Sequence, residues 1–483
     1  MKKLIYCLSV LLATGCTNEV PNQKQVEERA VKEVRDAELL ISPHSLTLDG
    51  SDATKVATLF QKKGRPSMSR SGAVLVSPNI IDVKDDFTGE TLAYIVNWSD
   101  NGGFSIISST KMTEPLLAYS ESGYFDVEEA STDWILDRIK TEIRYALDNP
   151  NDSIRLLHAL SWAMYEMPVG ETYILESRAA SSNINQWIAD KIARMQAKGY
   201  KYCGKISWAA SHLTEREYKA LCADVSSHCD PQYDYTETSL CFTKDEYDTS
   251  IGPFVETQWG QGGVPGLNIS ASNHIAGCGP VAIAQIMNYY TYPSKYNWAR
   301  LFEVTSVNGD MSYARELMDD IYLYAQPTFN TGGTSVTDGN ARNVFNKMGY
   351  TVNNLQSASV SSMMSAIKSG KPFYMSGRNS STGNEHAWIC DGYQKQLKTA
   401  IVSFIPRPGL ILDIEEDDGI FFDYAFKYVG LNPSYDAYAA YTDYFHMNLG
   451  NNGTSDGWYL FNSYGGSIAG YNASINMIVP TKP

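Results

Sequence analysis

The sequence lacks any apolar run of the roughly 18 residues that a membrane-spanning helix needs. It is also short of positive charge, because 39 Lys and Arg stand against 54 Asp and Glu and give a formal charge of −15. Such an acidic chain is a poor partner for nucleic acid and for anionic lipid surfaces, which attract basic proteins. Neither an internal repeat nor a low-complexity tract is present, and 43% hydrophobic residues among 483 suffice for two or three folded domains.

The first 15 residues have the organisation of an export signal. Lys2 and Lys3 precede a short apolar stretch at 4–12, and the sequence ATGC at 13–16 is similar to a bacterial lipobox. We expect cleavage before Cys16, lipid attachment to its thiol, and an exported protein that is anchored to a membrane, periplasmic or at the cell surface, unless later processing releases it. A plain secretory signal is the alternative. A lipid anchor tethers a protein to the membrane without spanning it.

Half of the cysteines are clustered in the middle of the chain. Of the eight, Cys203, Cys222, Cys229 and Cys241 lie close together. In an exported protein this cluster predicts one or two disulfides, with the pairing left open. A zinc site with His212 or His228 is the alternative, but the absence of a Cys-x-x-Cys pair disfavours it. We therefore expect neither a metal nor a cofactor.

Changes in composition divide the chain into five segments. We interpret residues 1–15 as the signal peptide, 16–40 as a polar tether, 41–175 as a small α+β unit, 176–250 as a cysteine-containing connector, and 251–483 as a second domain. The last boundary is placed where charge falls and Gly, Asn, Ser and Tyr become frequent.

The 41–175 segment has clear local signals. A short helix is predicted over 51–64, and a hairpin is predicted from two β-rich runs, 91–98 and 104–108, separated by Ser, Asp, Asn and two Gly. A third strand follows at 116–119. Residues 129–148 predict an amphipathic helix, because apolar side chains recur every fourth residue at Ile135, Ile139, Ile143 and Leu147.

The chemistry-bearing candidate in the second domain is Cys278. Glycines flank it, Pro280 suits a first helical turn, and residues 281–290 have helical composition. This pattern places the thiol at the N-terminus of a buried helix, where unpaired N–H groups and the helix dipole favour the thiolate. A small buried residue that begins a core helix is the alternative interpretation.

Three polar residues elsewhere in the chain, two after Cys278 and one before it, would complete a nucleophilic site. His386, at the start of a predicted strand, would take the thiol proton and later protonate the leaving amine. Asn448 would accept a hydrogen bond from the imidazole and fix its tautomer. Gln261, together with the backbone N–H of Cys278, would form an oxyanion hole.

The order Gln, Cys on a helix, His-Ala, and Asn resembles that of papain-like cysteine peptidases. The local sequence is closer to the streptopain family, and the resemblance covers about 251–483. The residues that carry it are Trp259-Gly260-Gln261, Cys278, Ala284-Gln285-Ile286-Met287, Tyr292-Pro293, His386-Ala387, Asp391-Gly392 and Asp456-Gly457-Trp458-Tyr459. A weaker resemblance over about 45–150, at 103–108 and 115–120, is to the inhibitory prodomain of that family.

The resemblance implies an α+β, papain-like fold, with a helical part carrying Cys278 and an antiparallel sheet carrying His386 and Asn448. It implies an exported zymogen-type cysteine endopeptidase in which Cys278 is the nucleophile, His386 the general base and acid, Asn448 the His-orienting residue and Gln261 the oxyanion-hole residue. Its partners would be a protein or peptide substrate and its own 41–175 segment as an intramolecular inhibitor.

Two departures from the family pattern leave other functions open. Asn448-Leu449-Gly450-Asn451 stands where the family has Asn-Trp-Gly-Trp, so shielding of His386 from water should be weaker, and Leu449→Trp is expected to raise kcat. A long insertion at about 395–443 is either a specificity loop or a surface excursion. The alternatives are therefore an inactive papain-like binding or inhibitor module, and an amidase acting on cell-wall peptides.

Several neighbouring residues are predicted to have no catalytic part. His446 would share a strand face with Asn448, Cys390 should be buried and inert, and Trp388 should belong to the core. His274, in the loop before Cys278, is interpreted as a surface histidine.

Overall fold

The computed structural model describes residues 47–64, 78–99, 101–148, 158, 162, 182–205, 235–261, 276–302, 312–330, 333–378, 383–406, 422–425, 439–463 and 475–483. Within these residues the fold is a mixture of helices and largely antiparallel sheet, which confirms the predicted α+β class. No helix in these ranges is both long enough and apolar enough to cross a membrane.

The N-terminal unit, residues 47–148, packs two helices against a four-stranded antiparallel sheet. Its elements are α1 (Gly50–Gly64), β1 (Asn79–Lys84), β2 (Thr91–Asn97), β3 (Phe104–Ser108), β4 (Leu116–Ser120), a 3₁₀ turn (Ala130–Thr132) and α2 (Asp133–Asp148). The predicted hairpin, third strand and both helices are confirmed, whereas β1 was not predicted. Gly103 closes the hairpin with a φ of 91°, and a Cβ there would collide with the Ser120 carbonyl.

Helix α2 buries Trp134, Ile135, Arg138, Ile139 and Ile143. The prediction that Leu147 shares this face is wrong, because its side chain is 43% exposed. A step of four residues overshoots a full turn by about 40°, so three such steps carry a side chain about 120° around the helix.

The second domain places a helical half beside a sheet. The helices are α4 (Cys278–Tyr290), α5 (Trp298–Phe302), α6 (Ser312–Ala325), α7 (Asp338–Lys347) and α8 (Val360–Lys368). The short strands among them are β7 (Thr328–Asn330), β8 (Gly333–Ser335), β9 (Thr351–Val352) and β10 (Gln356–Ser357). Helix α4 is buried from Gly279 to Asn288 in the core that it shares with α5, α6 and α7.

The sheet of the second domain positions the candidate histidine. Its strands are β11 (Phe373–Arg378), β12 (Glu385–Pro406), β13 (Phe422–Ala425), β14 (Ala439–Asn448), β15 (Gly457–Ser463) and β16 (Asn476–Ile478), while β17 (Pro480–Thr481) pairs with β9. In this antiparallel sheet β12 lies between β11 and β14, with Ser376 opposite Ala387 and Asn448 opposite Ile389.

The two units share one sheet. Strand β4 pairs with β15, with Tyr119 opposite Trp458 and Ala118 opposite Tyr459. The strand order β1-β2-β3-β4-β15-β14-β12-β11-β16-β10 therefore runs without a break from the N-terminal unit into the second domain. This pairing fixes where α2 lies relative to the strand that carries His386.

The end of the connector also joins this sheet. The connector contains α3 (Ser182–Ala197), β5 (Lys201–Lys205) and β6 (Tyr235–Ile251). Strand β6 pairs along β12 from Tyr393 opposite Ile251 to Pro406 opposite Tyr235. The predicted insertion thus begins as an extension of β12, and the residues just before the predicted boundary at 250 are its sheet partner. The limits of the five segments stay predictions.

Several predictions concern parts of the chain that the structure does not describe. They are the signal peptide and Cys16, the tether, Cys222, Cys229, His212, His228 and His274. The side chains of Cys203 and Cys241 are outside the described set as well, so the disulfide and zinc alternatives stay open.

Candidate active site

Cys278 is the first residue of helix α4, as predicted from its flanking residues. Gly277 precedes it with a φ of 91°, and a Cβ at that position would lie 2.5 Å from the Thr334 carbonyl oxygen. Only glycine combines this backbone angle with so close an approach. The thiol is unpaired and partly accessible to solvent.

The electrostatic surroundings of the thiol differ from the sequence expectation. Burial raises the pKa of Cys278, whereas the backbone N–H groups of Ala387, Gly279 and Cys278 itself act to lower it, and the net direction is upward. The helix N-terminus does supply N–H donors, as expected. The prediction of a lowered pKa is nevertheless wrong for this covered state, because desolvation of the thiolate outweighs those donors.

His386 lies on strand β12, directly before Ala387. The backbone N–H of Ala387 is directed at the Cys278 sulfur, so the start of β12 lies beside the start of α4. The His386 Nε2 lies 3.0 Å from the Leu449 carbonyl oxygen. Because a carbonyl oxygen only accepts, Nε2 must carry the proton, and Nδ1 is the nitrogen with a lone pair in the neutral ring. This is the tautomer that a general base needs.

Burial also keeps the imidazole neutral. His386 is 7% exposed. Burial lowers the pKa of His386 to about 4, although the hydrogen bond to the Leu449 carbonyl favours the charged ring. The covered site therefore holds a neutral thiol and a neutral imidazole rather than an ion pair.

Asn448 does not contact His386 directly, which corrects the sequence prediction. Its Nδ2 donates to the Thr257 carbonyl at 2.9 Å, and its Oδ1 accepts from Gln285 Nε2 and from the Gly450 N–H, each at 3.1 Å. The physical reason is the register, since Asn448 lies opposite Ile389, three residues beyond His386. The residue that reaches the ring is Leu449, through its backbone.

Asn448 still supports the histidine through one peptide group. The C=O of Leu449 and the N–H of Gly450 belong to the same peptide unit, so Asn448 accepts from one side while His386 donates to the other. Gly450 has a φ of 69°, which suits glycine at this sharp exit from β14.

Gln261 is brought to the entrance of helix α4. Its backbone carbonyl accepts from the Ala276 N–H at 2.8 Å, two residues before Cys278, and the residue is half-buried. The segment before it is anchored by two hydrogen bonds, from the Val255 N–H to Asp391 Oδ2 at 2.8 Å and from the Trp259 N–H to Gln285 Oε1 at 3.1 Å. Its part in an oxyanion hole stays a prediction.

Gln285 is a structural link to which sequence reasoning assigned no role. Its amide accepts from Trp259 and donates to Asn448, so it joins the Gln261 segment to the end of β14 across the buried face of α4. A fully buried amide within an apolar helix is itself the signal, since such a group needs partners for both its donor and its acceptor.

Trp388 is buried, as predicted, and it also contacts the N-terminal unit and lies beside His386. Its ring is stacked on Trp134 of helix α2, with centroids 4.1 Å apart and an interplanar angle of 12°. On the same strand, the ring of His386 is nearly parallel to that of Trp388, with centroids 6.0 Å apart. The N-terminal unit therefore rests on the strand that carries His386.

Further contacts of α2 extend this interface. Asn384 Nδ2 donates to Asp133 Oδ2 at 2.6 Å, just before β12 begins. The guanidinium of Arg138 lies 3.9 Å from the centroid of the Phe461 ring on β15, and burial lowers its pKa to about 10. One face of α2 thus contacts both the histidine strand β12 and strand β15, with β14 between them in the sheet.

Two further ionisable residues, His446 and Cys390, lie on the strands that carry Asn448 and His386. His446 Nδ1 lies 2.6 Å from Asp391 Oδ1; burial acts to lower the pKa of His446, but the Asp391 carboxylate more than offsets this and the pKa is raised. Cys390 is fully buried and unpaired, as predicted, and burial raises its pKa well above the ordinary value.

Comparisons with known proteins show what two parts of the chain are similar to. Residues 43–143 match the Spi protease inhibitor family, and residues 258–403 match the Peptidase_C39-like family. Among solved structures, a cysteine-to-alanine mutant fragment of Prevotella intermedia prointerpain A is similar at 15% identity, covering 84% of this chain and 100% of that one with a TM-score of 0.41. No curated protein matches the chain.

The two family matches fall on the two units whose contact is described above. The N-terminal unit lies almost entirely within the inhibitor-family match, and Cys278, His386 and Gln261 lie within the peptidase-family match. The chain thus joins a Spi protease inhibitor-like prodomain to a Peptidase_C39-like domain, which confirms the predicted resemblance to a peptidase preceded by an inhibitory prodomain.

Proposed function

We propose that the protein is a zymogen-type cysteine endopeptidase in which Cys278 is the nucleophile and His386 the general base and acid. The observation that carries the proposal is the hydrogen bond from His386 Nε2 to the Leu449 carbonyl. It leaves Nδ1 as the basic nitrogen, on the strand whose next residue donates its N–H to the Cys278 sulfur.

The reaction follows from these positions. His386 Nδ1 takes the proton of the thiol, and the sulfur attacks the carbonyl carbon of the scissile peptide bond. The negative charge on the tetrahedral oxygen is stabilised by the Cys278 N–H and by the Gln261 side chain. His386 then protonates the departing amine, which breaks the C–N bond and leaves a thioester. Water, deprotonated by His386, hydrolyses this acyl-enzyme and regenerates the thiol.

The N-terminal unit restrains this chemistry. Helix α2 covers the histidine strand through Trp134, and in the uncleaved chain the partly accessible thiol and the buried imidazole are both neutral. Removal of the unit would readmit water and substrate, which would lower the cost of forming the thiolate and imidazolium. Cleavage in the connector would also separate the second domain from the proposed lipid anchor.

Export and anchoring are part of the proposal. The N-terminal lysines, the apolar 4–12 stretch and the ATGC sequence support lipidation of Cys16. In a bacterial host, Cys16→Ser should move the protein from the membrane fraction to the soluble exported fraction. Equal membrane association of both forms would contradict the lipid anchor.

Active-site labelling tests the catalytic proposal. The chain from residue 17 onward, before and after limited proteolysis, is treated with an epoxysuccinyl thiol probe at pH 6–7, and mass spectrometry locates the adduct. We expect label on Cys278 that increases after proteolysis and is lost in His386→Ala, while Cys390→Ser, the matched control, labels like the parent.

The same experiment separates the alternatives. A processed, folded protein without label on Cys278 would contradict the peptidase and favour a binding or inhibitor module. A second, unlabelled portion of the processed protein is then given casein and cell-wall peptides. Cleavage of casein supports an endopeptidase, whereas hydrolysis confined to the cell-wall peptides supports an amidase.

A further inference from the structure

Three ionisable side chains near the end of β14, where Leu449 lies, have no part in the reaction described above. Asp391 on β12, His446 on β14 and Asp456 at the start of β15 form a buried acid–histidine cluster. Asp391 is fully buried and Asp456 is 8% exposed. Buried charges are retained only where they have partners, so each member of this cluster must be accounted for.

Asp391 and His446 are partners of each other. His446 donates to Asp391 Oδ1, and the second carboxylate oxygen of Asp391 accepts the Val255 N–H. Asp456 has a different partner, because its Oδ1 accepts the N–H of Leu449 at 2.7 Å. That residue is also the one whose carbonyl binds the His386 ring.

Leu449 is therefore held at both ends of its backbone. Asp456 binds its N–H at 2.7 Å, and His386 binds its C=O at 3.0 Å. The residue is the first after β14 and is followed by Gly450 in a left-handed conformation. Strand pairing no longer fixes the chain at this point, so the Asp456 carboxylate supplies the restraint that the sheet does not.

We propose that Asp456 is a positioning residue for His386 and acts through the backbone of Leu449. This inference rests on the proposed function, in which His386 is the base. It assigns a role to the Asp456-Gly457 pair at which β15 begins, and it explains why a carboxylate is buried beside the residue whose carbonyl binds the imidazole. The titratable groups that face Asp456 are His446 from β14, Asp391 from β12 and the neutral Tyr459 hydroxyl from β15.

The first test measures the imidazole rather than the activity. The full chain carrying Cys278→Ala, which cannot process itself, is labelled with ¹⁵N-histidine, and the ring ¹⁵N shifts report the tautomer of His386. We expect one Nε2–H form in the parent and in Asp456→Asn, whose amide oxygen still accepts the Leu449 N–H. Asp456→Ala should show a mixture of tautomers, and an unchanged spectrum would overturn the proposal.

A kinetic arm separates positioning from general destabilisation. After proteolytic activation, kcat of Asp456→Ala should fall about 10- to 100-fold, the range seen for other residues that orient a functional side chain, with KM changed less than about twofold. Asp456→Asn should recover most of the loss. Asp443 is the matched control, because it is also 8% exposed and its carboxylate binds the Tyr393 hydroxyl instead. Equal losses in Asp443→Ala and Asp456→Ala would overturn the proposal.

Failure of the proposed function gives a different result. If the parent protein neither labels nor cleaves, the peptidase is contradicted, but the tautomer measurement still decides whether Asp456 orients the ring. If Asp456→Ala does not fold, the Cys278→Ala chain is titrated instead. The Leu449 amide proton and the His386 ring nitrogens should then move together with the Asp456 carboxyl carbon, and independent movement would overturn the proposal.

Discussion

The indole of Trp134 is stacked on the indole of Trp388, with 4.1 Å between ring centroids, although the two residues belong to different units of the chain. Trp388 lies two residues after His386 on β12, and Trp134 lies at the start of α2. The stack joins the inhibitor-like unit to the histidine strand. It also gives His386 an aromatic neighbour although both tryptophans of the family's Asn-Trp-Gly-Trp element are absent.

Trp134→Ala should therefore weaken autoinhibition. Aromatic pairs contribute about 0.5–1.5 kcal/mol beyond their burial, and truncating a buried tryptophan costs about 3–5 kcal/mol. We expect Cys278 in the uncleaved chain to label at least about tenfold faster, with Trp134→Phe intermediate. Ile143→Ala, which removes a fully buried side chain of the same helix, is the control for loss of helix stability. If it accelerates labelling equally, the stack has no special part.

Leu449→Trp should destabilise the protein instead of raising kcat. The sequence suggested that an indole here would restore shielding, but Leu449 is fully buried within the core that includes Trp388. Inserting a larger ring into a packed core costs about 1–3 kcal/mol. We expect a lower midpoint of urea unfolding and an unchanged or lower kcat. Leu449→Met, which conserves volume, should stay close to the parent, and a higher kcat in Leu449→Trp would restore the original expectation.

Gln285→Ala should impair catalysis although the side chain is not proposed to touch substrate. It would leave the Trp259 N–H without its partner in the interior, at about 1–3 kcal/mol, and would remove one of the two donors to Asn448 Oδ1. The Gln261 segment and the end of β14 would both loosen, so we expect lower stability and a lower kcat/KM. Gln285→Glu keeps an acceptor for Trp259 and should retain more activity at the same pH. Identical behaviour of the two variants would contradict the linking role.

The neutral His386 should make the uncleaved chain less stable in acid. Its pKa is lowered from 6.5 to about 4, so between these values the unfolded chain binds the proton and the folded chain does not. The contribution of His386 to the free energy of unfolding is therefore present above pH 6.5. It is lost as pH falls toward 4, by about 3 kcal/mol in all. Urea unfolding of the parent and of His386→Gln should therefore converge or cross in this window. A difference in unfolding free energy that does not depend on pH would contradict the lowered pKa.

The contribution of Asp456 to stability should change with pH in the opposite direction, over nearly the same pH range. Burial raises its pKa from 3.8 to about 7, against the opposing effects of the Leu449 N–H and His446. The folded chain holds this proton where the unfolded chain has lost it, so the contribution to stability is present below pH 4 and declines as pH rises through 7. The stability of the parent minus that of Asp456→Asn should fall with rising pH, and a rising difference would contradict the assignment.

Short-range sequence patterns were enough to predict several elements of secondary structure and the candidate reactive residues. Three predicted elements are confirmed: the hairpin around Gly103, helix α2, and the helix that begins at Cys278. Each of them depends on residues that are only a few positions apart in the chain. The identities of the nucleophile and base candidates follow from residue type and chain order. In the structure the N–H of Ala387, the residue after His386, meets the Cys278 sulfur and brings the start of β12 beside the start of α4.

Other features depended on strand register, which sequence spacing does not reveal. Asn448 was expected to bind His386, yet the pairing of Ile389 with Asn448 gives that place to the Leu449 carbonyl. The direction of the Cys278 pKa was misjudged for a related reason, because burial depends on what packs over the thiol and not on its position in a helix.

The amino-acid sequence by itself determined the reactive groups, the helix that presents the thiol, and the inhibitor-like and peptidase-like units, since these depend on residue type and short-range pattern. The tertiary structure alone decided which atom orients His386, that Trp134 covers its strand, and that Asp456 lies behind Leu449. The first two relationships join residues that are far apart in the chain, and the pairing of β4 with β15 and of β12 with β14 brings them together. Asp456 and Leu449 are seven residues apart and meet where the paired strands β14 and β15 are connected. Hydrogen bonds and desolvation act over a few ångströms, so only the packed fold sets them.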